Sequence, residues 1–552
     1  AGGGSRAAKK RRKKMHKLSN KPASDGASHV PWTVAPKPPA TEGAKNRDGD
    51  LRKSAGGAKR KRDDNIRGET GPPTPGKQEP TRIDGVKRPG VGSSNGESGG
   101  KRSGESSSAS WSAAMPTVID ASKADDRSRL LLELDVHGVL SDHDVESGLK
   151  ARQLLQWMIA PLPVEEFYDT FWERNALVVR GRDPDYFDGW LGTADIEAFV
   201  SGQSMQYGVD LDVTNYVNRR RITLNPSPPI ASGTGKGASK KSTAGGGAAE
   251  GGAGAVVTSK YVWQKFREGC SLRMPCPQKF SDPLHRLLSA LEEEFGCMVG
   301  SNVYLTPPRS QGFAPHWDDI EAFLLQVEGK KRWRVYRPAD EAALLPRLSS
   351  SNLTDEQAGE PVLEVVLEPG DLLYFPRGWI HQAETVGDEP SLHITVSAMQ
   401  ANCWGDLVET VIPQAVASTI QSSTELRRGL PRDYLEFMGA VHSEEKAGDK
   451  RREAFKKQLR RHLDDVVNEA VKLLDAASDQ MGKRYISDRL PLVLTEYEEV
   501  LSVVGRGEGS ITPLTRLRMA KRGCARLVLE DGVVVVYHCM DNARVHHGHA
   551  LR

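Results

Sequence analysis

Residues 314–319 have the sequence Ala-Pro-His-Trp-Asp-Asp, and a second histidine follows at position 381. Two imidazoles and one carboxylate on one face of a metal are the ligand set of non-haem Fe(II) oxygenases. The other face stays open for two donors of a 2-oxo acid and for dioxygen. His316, Asp318 and His381 are therefore the candidate iron ligands and the candidate catalytic residues.

Short apolar strands separated by turns surround this triplet, which predicts a β-sandwich or barrel. A hairpin is predicted at Glu328-Gly329-Lys330, between the second and third strands, and a type II turn is predicted at Pro369-Gly370. The predicted strands are 302–305, 323–327, 332–336, 362–367, 371–375 and 393–397.

The spacing of the triplet suits a strand, because residues i and i+2 of a strand point to the same side. His316 and Asp318 can then face one metal while Trp317 points away, and His381 can return on another strand after the turn at 376–379. The alternative is two polar residues on a surface loop, since such triplets also arise by chance. The strand-rich surroundings and the later histidine favour the metal site.

Lys331 is the predicted cation for the distal carboxylate of 2-oxoglutarate. On its strand it shares a face with Trp333 and Val335, which is apolar and therefore inward. An inward lysine needs an anionic partner because an unpaired buried charge is costly. The alternative is an edge lysine whose ammonium group reaches water. Three other polar residues are predicted to supply hydrogen bonds in the same cavity: Asn302, Tyr304 and Thr395.

Two further groups of metal-binding residue types are predicted not to bind a metal. His393 lies on the strand of Thr395, and we expect it to be a hydrogen-bonded pocket histidine. The terminal cluster of His538, Cys539 and the histidines within 546–549 fits no standard zinc spacing.

The six cysteines form no CxxC pair, which indicates a reducing compartment without disulfides.

The first part of the chain differs in composition. Residues 1–127 are rich in Lys, Arg, Gly, Ser and Pro and poor in large apolar residues, which predicts a disordered basic tail. Its basic clusters at 9–14 and 59–62 predict nuclear or nucleolar import, and the alternative is a solvated charge run. Because the first methionine is Met15, we also expect a fragment or an uncertain gene boundary.

Helical periodicity brackets the strand-rich block on both sides. Amphipathic helices are predicted between 154 and 172, and again at 407–412 and 455–474. A Gly-rich insertion is predicted at about 232–255, and a final hairpin turns at Asp531-Gly532. No apolar run approaches the roughly 18 residues of a membrane span, so no membrane partner is expected.

Several longer runs of sequence resemble the JmjC ribosomal oxygenases. They include residues 302–308 and 311–323 around the triplet, 370–378 and 380–384 around His381, and 428–433. The resemblance extends from about residue 150 to the end of the chain. It departs from the family pattern at Trp317, where tyrosine is expected.

The resemblance implies a mixed α/β fold with a double-stranded β-helix core, which is the jelly-roll or cupin form of the JmjC domain, and flanking helices. The N-terminal part of the oxygenase core is expected at 128–269 and the JmjC catalytic domain at 270–415. A helical dimerisation region is expected at 416–503, and a truncated, partial winged-helix region at 504–552.

The resemblance also implies Fe(II) at the three candidate ligands, with 2-oxoglutarate and O₂ as co-substrates. It places 2-oxoglutarate at Lys331, with Asn302, Tyr304 and Thr395 nearby. The implied reaction is hydroxylation of a histidine in a large-subunit ribosomal protein. Histone lysine demethylation with transcriptional repression is a possible second activity on histone tails. A homodimer in the nucleus and nucleolus is expected.

Two other functions stay open on the sequence alone. Histone demethylation is the first, because the same iron chemistry serves an N-methyl group and pocket shape decides between the two substrates. The second is a non-catalytic chromatin or ribosome-assembly binder on a degenerate barrel. The intact triplet with His381, together with Lys331, argues against this second alternative.

Overall fold

The computed structural model describes residues 115–227, 254–398, 401–445, 448–502, 512–517 and 519–545. Both predicted basic clusters and the histidines at 546–549 lie outside the described residues, as does nearly all of the predicted Gly-rich insertion. In the part of the chain that is described, no helix is long and apolar enough to cross a membrane.

Two β-sheets form the core. The strands of the larger sheet are β1 (Thr117–Asp120), β2 (Leu177–Arg180), β3 (Asp212–Val217), β4 (Arg220–Thr223), β5 (Ser271–Pro275), β6 (Gly300–Thr306), β7 (Glu321–Glu328), β10 (Leu372–Phe375) and β12 (Ser391–Ala398). The smaller sheet contains β8 (Lys330–Tyr336), β9 (Leu363–Leu367) and β11 (Ile380–Val386), and a separate hairpin contains β13 (Ala525–Glu530) and β14 (Val533–His538). The strand orders are β1-β2-β10-β7-β12-β6-β5-β3-β4 and β11-β8-β9.

Side chains alternate between the two faces of each strand, and the apolar faces of the two sheets pack against each other. On β10, Leu373 and Phe375 pack against Trp333 and Val335 of the smaller sheet. The intervening residues of β10 point to the opposite face and pack into a second core with the helices. Burying one such apolar side chain contributes about 1.5–3 kcal/mol. The predicted sandwich is therefore confirmed, with helices covering the outer face of its larger sheet.

One group of helices alternates with the strands along the chain, and a second group follows the last strand of the two sheets. The first group is α1 (Asp126–Leu132), α2 (Val136–Ser141), α3 (Ser147–Ile159), α4 (Val164–Thr170), α5 (Thr193–Gly202), α6 (Ser259–Arg267), α7 (Asp282–Phe295) and α8 (Asp355–Ala358). The second group is α9 (Trp404–Ser422), α10 (Thr424–Arg427), α11 (Tyr434–Phe437), α12 (His442–Glu445), α13 (Lys450–Lys472), α14 (Leu474–Asp488) and α15 (Glu496–Leu501). Short 3₁₀ turns lie at Ala121–Lys123, Pro277–Lys279 and Glu341–Ala343.

Helix α7 illustrates how the local sequence sets an element. The Ser281 side chain accepts the Leu284 N–H at its start, and Pro283 lies in the first turn, where a missing N–H costs nothing. Gly296 ends the helix in the left-handed region at φ 63°. The buried face of α7 carries Glu292, whose carboxylate pairs with the buried Arg489 at 3.3 Å. This pair connects the segment after α14 to α7.

The hairpin predicted at Glu328-Gly329-Lys330 is wrong. Strands β7 and β8 are consecutive, but β7 pairs with β10 and β12 while β8 pairs with β9 and β11. Gly329 carries the chain from one sheet to the other with φ 60°, and a Cβ there would lie 2.0 Å from the Pro390 carbonyl oxygen. The predicted turn at Pro369-Gly370 is confirmed by the Asp371 N–H bond to Glu368 O at 3.0 Å, and it also joins the two sheets.

Two predicted boundaries differ from the observed elements. Residues 117–120, inside the predicted disordered tail, form β1 and pair in parallel with β2. The prediction failed here because it rested on the average composition of the whole tail. This short segment is ordered because its backbone pairs with the buried strand β2. The predicted boundary between 415 and 416 falls within the continuous helix α9, because Pro413 does not end it.

Replacing Gly329 with alanine should destabilise the protein by more than about 2 kcal/mol, because strain at positive φ adds to a backbone clash. Gly387 is the matched control, since its φ is 88° but nothing lies within 4 Å of a Cβ there. Gly387→Ala should cost only about 1 kcal/mol. Guanidinium unfolding midpoints of the two variants measure the difference, and equal losses would exclude the clash.

Candidate metal centre

The three predicted ligands come together in the structure. His316, Asp318 and His381 each offer one ligand atom, and these atoms lie within 4.8 Å of one another. The Asp318 Oδ2 atom is 3.9 Å from His316 Nε2 and 3.7 Å from His381 Nε2. A bound metal would draw the three atoms closer, since its bonds to nitrogen and oxygen are about 2.0–2.2 Å.

The strand predicted for His316-Trp317-Asp318 is wrong, although the two ligands do point to one side. Only His316 forms a β-bridge, to His381, with N–H···O distances of 3.2 and 2.8 Å. The Trp317 backbone bonds instead to Ser350, so the chain leaves the ladder before β7 begins. The Trp317 indole N–H donates to the Leu348 carbonyl, away from the ligands.

Backbone carbonyls hold both imidazoles in the form that binds a metal. The His316 Nδ1 lies 2.8 Å from the Ala314 carbonyl oxygen, and the His381 Nδ1 lies 3.1 Å from that of Trp379. A carbonyl only accepts, so each Nδ1 carries the proton and each Nε2 keeps its lone pair towards Asp318.

The electrostatics of the site favour a neutral His381 and an anionic Asp318. Burial, followed by the charge of His316, lowers the pKa of His381 to about 4. Burial alone would raise the pKa of Asp318, but His316, His381 and Arg273 outweigh it and lower that pKa. A metal site needs both forms, neutral imidazole and anionic carboxylate.

Lys331 is buried beside the triad as predicted, with 4% of its surface exposed. Its Nζ donates to Thr306 Oγ1 at 3.0 Å and lies 3.4 Å from His393 Nδ1. Among the described residues no carboxylate forms an ion pair with it within 4.0 Å. Burial lowers the pKa of Lys331 to about 7. Since the described residues provide no carboxylate for this buried amine, an anionic ligand would be favourable there.

The remaining predicted residues lie on the adjacent strands β6 and β12. Tyr304 stacks on His393 with ring centroids 4.9 Å apart, so Tyr304 and Lys331 meet at this pocket histidine. Asn302 and Thr395 are paired across the two strands. Asn302 is directed towards another group, because its Oδ1 accepts from Arg273 Nη2 at 3.3 Å.

Three residues beside the site were missed by the sequence analysis. Arg273 on β5 donates hydrogen bonds to both Asn302 and Asp212. The Arg221 guanidinium group lies 4.2 Å from the centroid of the Phe313 ring. The Thr306 hydroxyl accepts a hydrogen bond from Lys331. The run Leu272-Arg273-Met274 predicts only that Arg273 points to the face opposite the two apolar residues, and nothing in the sequence says that this face lines the site. Nothing in the sequence near Thr306 pointed to its contact with Lys331.

Known protein families match two parts of the chain. The JmjC domain family matches residues 273–407, and the family described as ribosomal oxygenase 1, C-terminal winged helix domain, matches 490–552. Human ribosomal oxygenase 1 is 44% identical over 412 residues, covering 73% of this chain and 59% of the human protein. The chain thus spans less than two thirds of that relative.

Two further matches come from distant organisms. The Dictyostelium discoideum bifunctional lysine-specific demethylase and histidyl-hydroxylase NO66 is 39% identical over 405 residues, covering 73% of this chain and 72% of that protein. The X-ray structure of Escherichia coli ycfD covers 60% of this chain and 74% of its own, with 16% identity and a TM-score of 0.35.

The sheets and the His-Asp-His cluster define a JmjC-domain protein with a mixed α/β fold. Within that class, the chain belongs to the ribosomal oxygenase 1 family, which includes the bifunctional demethylase and histidyl-hydroxylase proteins.

Proposed function

We propose that this chain is an Fe(II)- and 2-oxoglutarate-dependent oxygenase whose metal is held by His316, Asp318 and His381. The observation that carries the proposal is the convergence of these ligands in the sandwich that also buries Lys331, for which the described residues provide no carboxylate within 4.0 Å. The donor set fits Fe(II), and membership of a JmjC family supports the same chemistry. A bound iron would couple decarboxylation of 2-oxoglutarate to insertion of one oxygen atom into a substrate C–H bond.

The residues around the metal have separate tasks in this proposal. Lys331 receives the distal carboxylate of 2-oxoglutarate, and Thr306 and Tyr304 lie where they can add hydrogen bonds. A charged hydrogen bond of this kind is about twice as strong as a neutral one, and burial strengthens it further. Asn302 and Thr395, paired on β6 and β12, supply polar groups along the cavity.

The proposed substrate is a histidine of a large-subunit ribosomal protein. The human relative is named a ribosomal oxygenase, and the Dictyostelium relative is named both a histidyl-hydroxylase and a lysine-specific demethylase. Histone lysine demethylation, with transcriptional repression, is the second candidate because of that name. An oxygen inserted into an N-methyl group releases formaldehyde, so one metal centre serves both reactions.

The proposed domain organisation follows the family. The JmjC catalytic domain occupies about 270–415, a helical dimerisation region follows to about 503, and a winged-helix region completes the chain. The match to the winged-helix family from residue 490 supports an earlier start for that last region. Nuclear and nucleolar localisation is proposed from the basic clusters at 9–14 and 59–62.

Homodimerisation is proposed from an apolar surface on α9 and α13. These helices pack together through Val411, Ala415, Val466 and Ala470. Seven further apolar residues of these helices are exposed, and contiguous exposed apolar surface is typical of protein interfaces. They are Val408, Val416, Ile420, Leu459, Leu463, Val467 and Val471.

Turnover is the first test of the proposed activity. With Fe(II) and 2-oxoglutarate, a peptide containing the ribosomal histidine should gain the mass of one oxygen atom, measured by mass spectrometry. His316→Ala should reduce the rate by more than about 1,000-fold, because a ligand of the metal is lost. A trimethyl- or dimethyl-lysine histone peptide, assayed side by side, should react more slowly. Faster demethylation would make the second candidate the main activity, and no turnover on any peptide would exclude both.

The pH dependence of 2-oxoglutarate binding tests Lys331. Its pKa of about 7 in the free protein should rise when a carboxylate binds, so binding takes up a proton above pH 7. The dissociation constant should therefore increase about tenfold per pH unit above pH 7 and stay flat below it. Calorimetry on protein saturated with Co(II) measures this slope. Lys331→Arg stays protonated and should bind with a flatter profile; identical profiles would remove Lys331 from this role.

The oligomeric state tests the apolar surface. Leu463→Glu should convert a dimer into a monomer in light scattering, because it places a charge within a buried interface. Lys457→Glu, on the same helix and also exposed, is the matched control and should stay dimeric. A monomeric wild-type protein would rule out the proposed homodimer.

A further inference from the structure

We propose that a buried charged network, formed by Glu321, Arg377, Tyr374 and Glu173, is the positioning element of the metal centre. In this role it sets the spacing between the Asp318 segment and His381, and it touches neither metal nor substrate. The inference rests on the proposed metal site and adds residues to it that are not themselves ligands.

The network is tightly connected. Arg377 is 6% exposed, and its Nη1 lies 2.8 Å from Glu321 Oε1 and 2.6 Å from Glu173 Oε1. The Glu321 side chain is fully buried. It also accepts from the Arg377 backbone N–H at 3.4 Å and from the Tyr374 hydroxyl. Tyr374 in turn accepts the Glu173 N–H at 3.1 Å, so all four residues are linked.

Its place in the chain connects it to both ligand-bearing segments. Glu321 is the first residue of β7 and follows directly on the segment of Asp318. Arg377 lies in the turn between β10 and β11, and the next residue, Gly378, donates its N–H to the Asp318 carbonyl at 3.0 Å. His381 follows on β11. The ion pair therefore connects the end of the Asp318 segment to the turn that precedes His381.

Asp318 depends on such support more than the histidines do. The histidines hold each other through their backbone bridge, and their rings bond to carbonyl groups. Asp318 lies outside any strand, and its side chain is 34% exposed. Its backbone contact to Gly378 is therefore set by the turn that Arg377 anchors.

A charged pair also specifies this geometry better than an apolar contact. Burying two charges is costly, and an apolar pair of similar volume is often as stable. Both carboxylates contact the same nitrogen of Arg377, Nη1, at 2.6 and 2.8 Å. Because the guanidinium group is planar, the N–H donors of this nitrogen have fixed directions, which restricts the distance and angle between the segments it joins. Groups that orient metal ligands in this way typically change metal affinity by about 10–100-fold when removed.

The chain contains a matched control for a purely structural role. Glu292 and Arg489 form another buried pair, 3.3 Å apart, and Glu292 also accepts the Leu490 N–H. That pair joins α7 to the segment after α14 and contacts neither ligand segment. Removing its charge tests stability without reaching the metal centre.

The experiment measures Co(II) binding by the full chain in the absence of 2-oxoglutarate, by calorimetry and by the visible absorption of the bound ion. We expect Glu321→Gln and Arg377→Lys to weaken Co(II) affinity by about 10–100-fold and to alter the absorption band. Glu292→Gln should keep the affinity within about twofold even if thermal unfolding shows an equal loss of stability. Tyr374→Phe removes the two hydrogen bonds of the hydroxyl, to Glu321 and from the Glu173 N–H, but keeps both ion pairs of Arg377. It should therefore give a smaller, intermediate loss of affinity.

The outcomes separate the positioning role from the proposed metal site. Wild-type Co(II) affinity and absorption in Glu321→Gln, with lowered thermal stability, would overturn the positioning role. If Glu321→Gln and Arg377→Lys do not fold, wild-type Co(II) affinity in the folded Tyr374→Phe protein would also overturn the positioning role. His316→Ala reports on the site itself, because unchanged Co(II) binding in that variant would reject the proposed ligands and not the network alone.

Discussion

Two reciprocal backbone hydrogen bonds between His316 and His381 join segments that belong to different sheets. His316 precedes β7 of the larger sheet, whereas His381 lies on β11 of the smaller one. The bridge therefore closes the sandwich at the point where the ligand atoms meet. Without it, the two imidazoles would lie on separate layers, and the ligand segments would be linked through the Gly378 N–H bond to the Asp318 carbonyl and the Arg377–Glu321 pair.

The proposed 2-oxoglutarate site spans the same gap between the two sheets. Lys331 extends from β8 of the smaller sheet to Thr306 on β6 and His393 on β12, both in the larger sheet. Further along, apolar side chains such as Trp333 and Phe375 fill the interior. The apolar filling lowers the local dielectric constant, and this strengthens a charged contact at Lys331 while making its unpaired ammonium unfavourable. The same space between the sheets therefore holds both the apolar core and the charged contact of Lys331.

Sequence patterns predicted most strands and the orientation of their side chains, because alternation is a local property. They failed where pairing partners had to be assigned. Strands separated by one glycine usually form a hairpin, but Gly329 passes the chain between sheets because β7 is already paired on both edges, to β10 and to β12. The strand predicted at His316-Trp317-Asp318 failed for a related reason, since the Trp317 backbone bonds to the distant Ser350. Arg273 was missed because no strand was predicted at β5.

The sequence by itself determined the chemical identity of the site: two imidazoles, one carboxylate and an inward lysine, at spacings compatible with one metal and one anion. Residue type and strand alternation carry that information without reference to distant parts of the chain. Only the tertiary structure decided which sheets those residues join, which nitrogen of each imidazole faces the carboxylate, and which buried groups hold the ligand segments in place. These features depend on hydrogen bonds between residues far apart in sequence, and such contacts exist only once both sheets have packed.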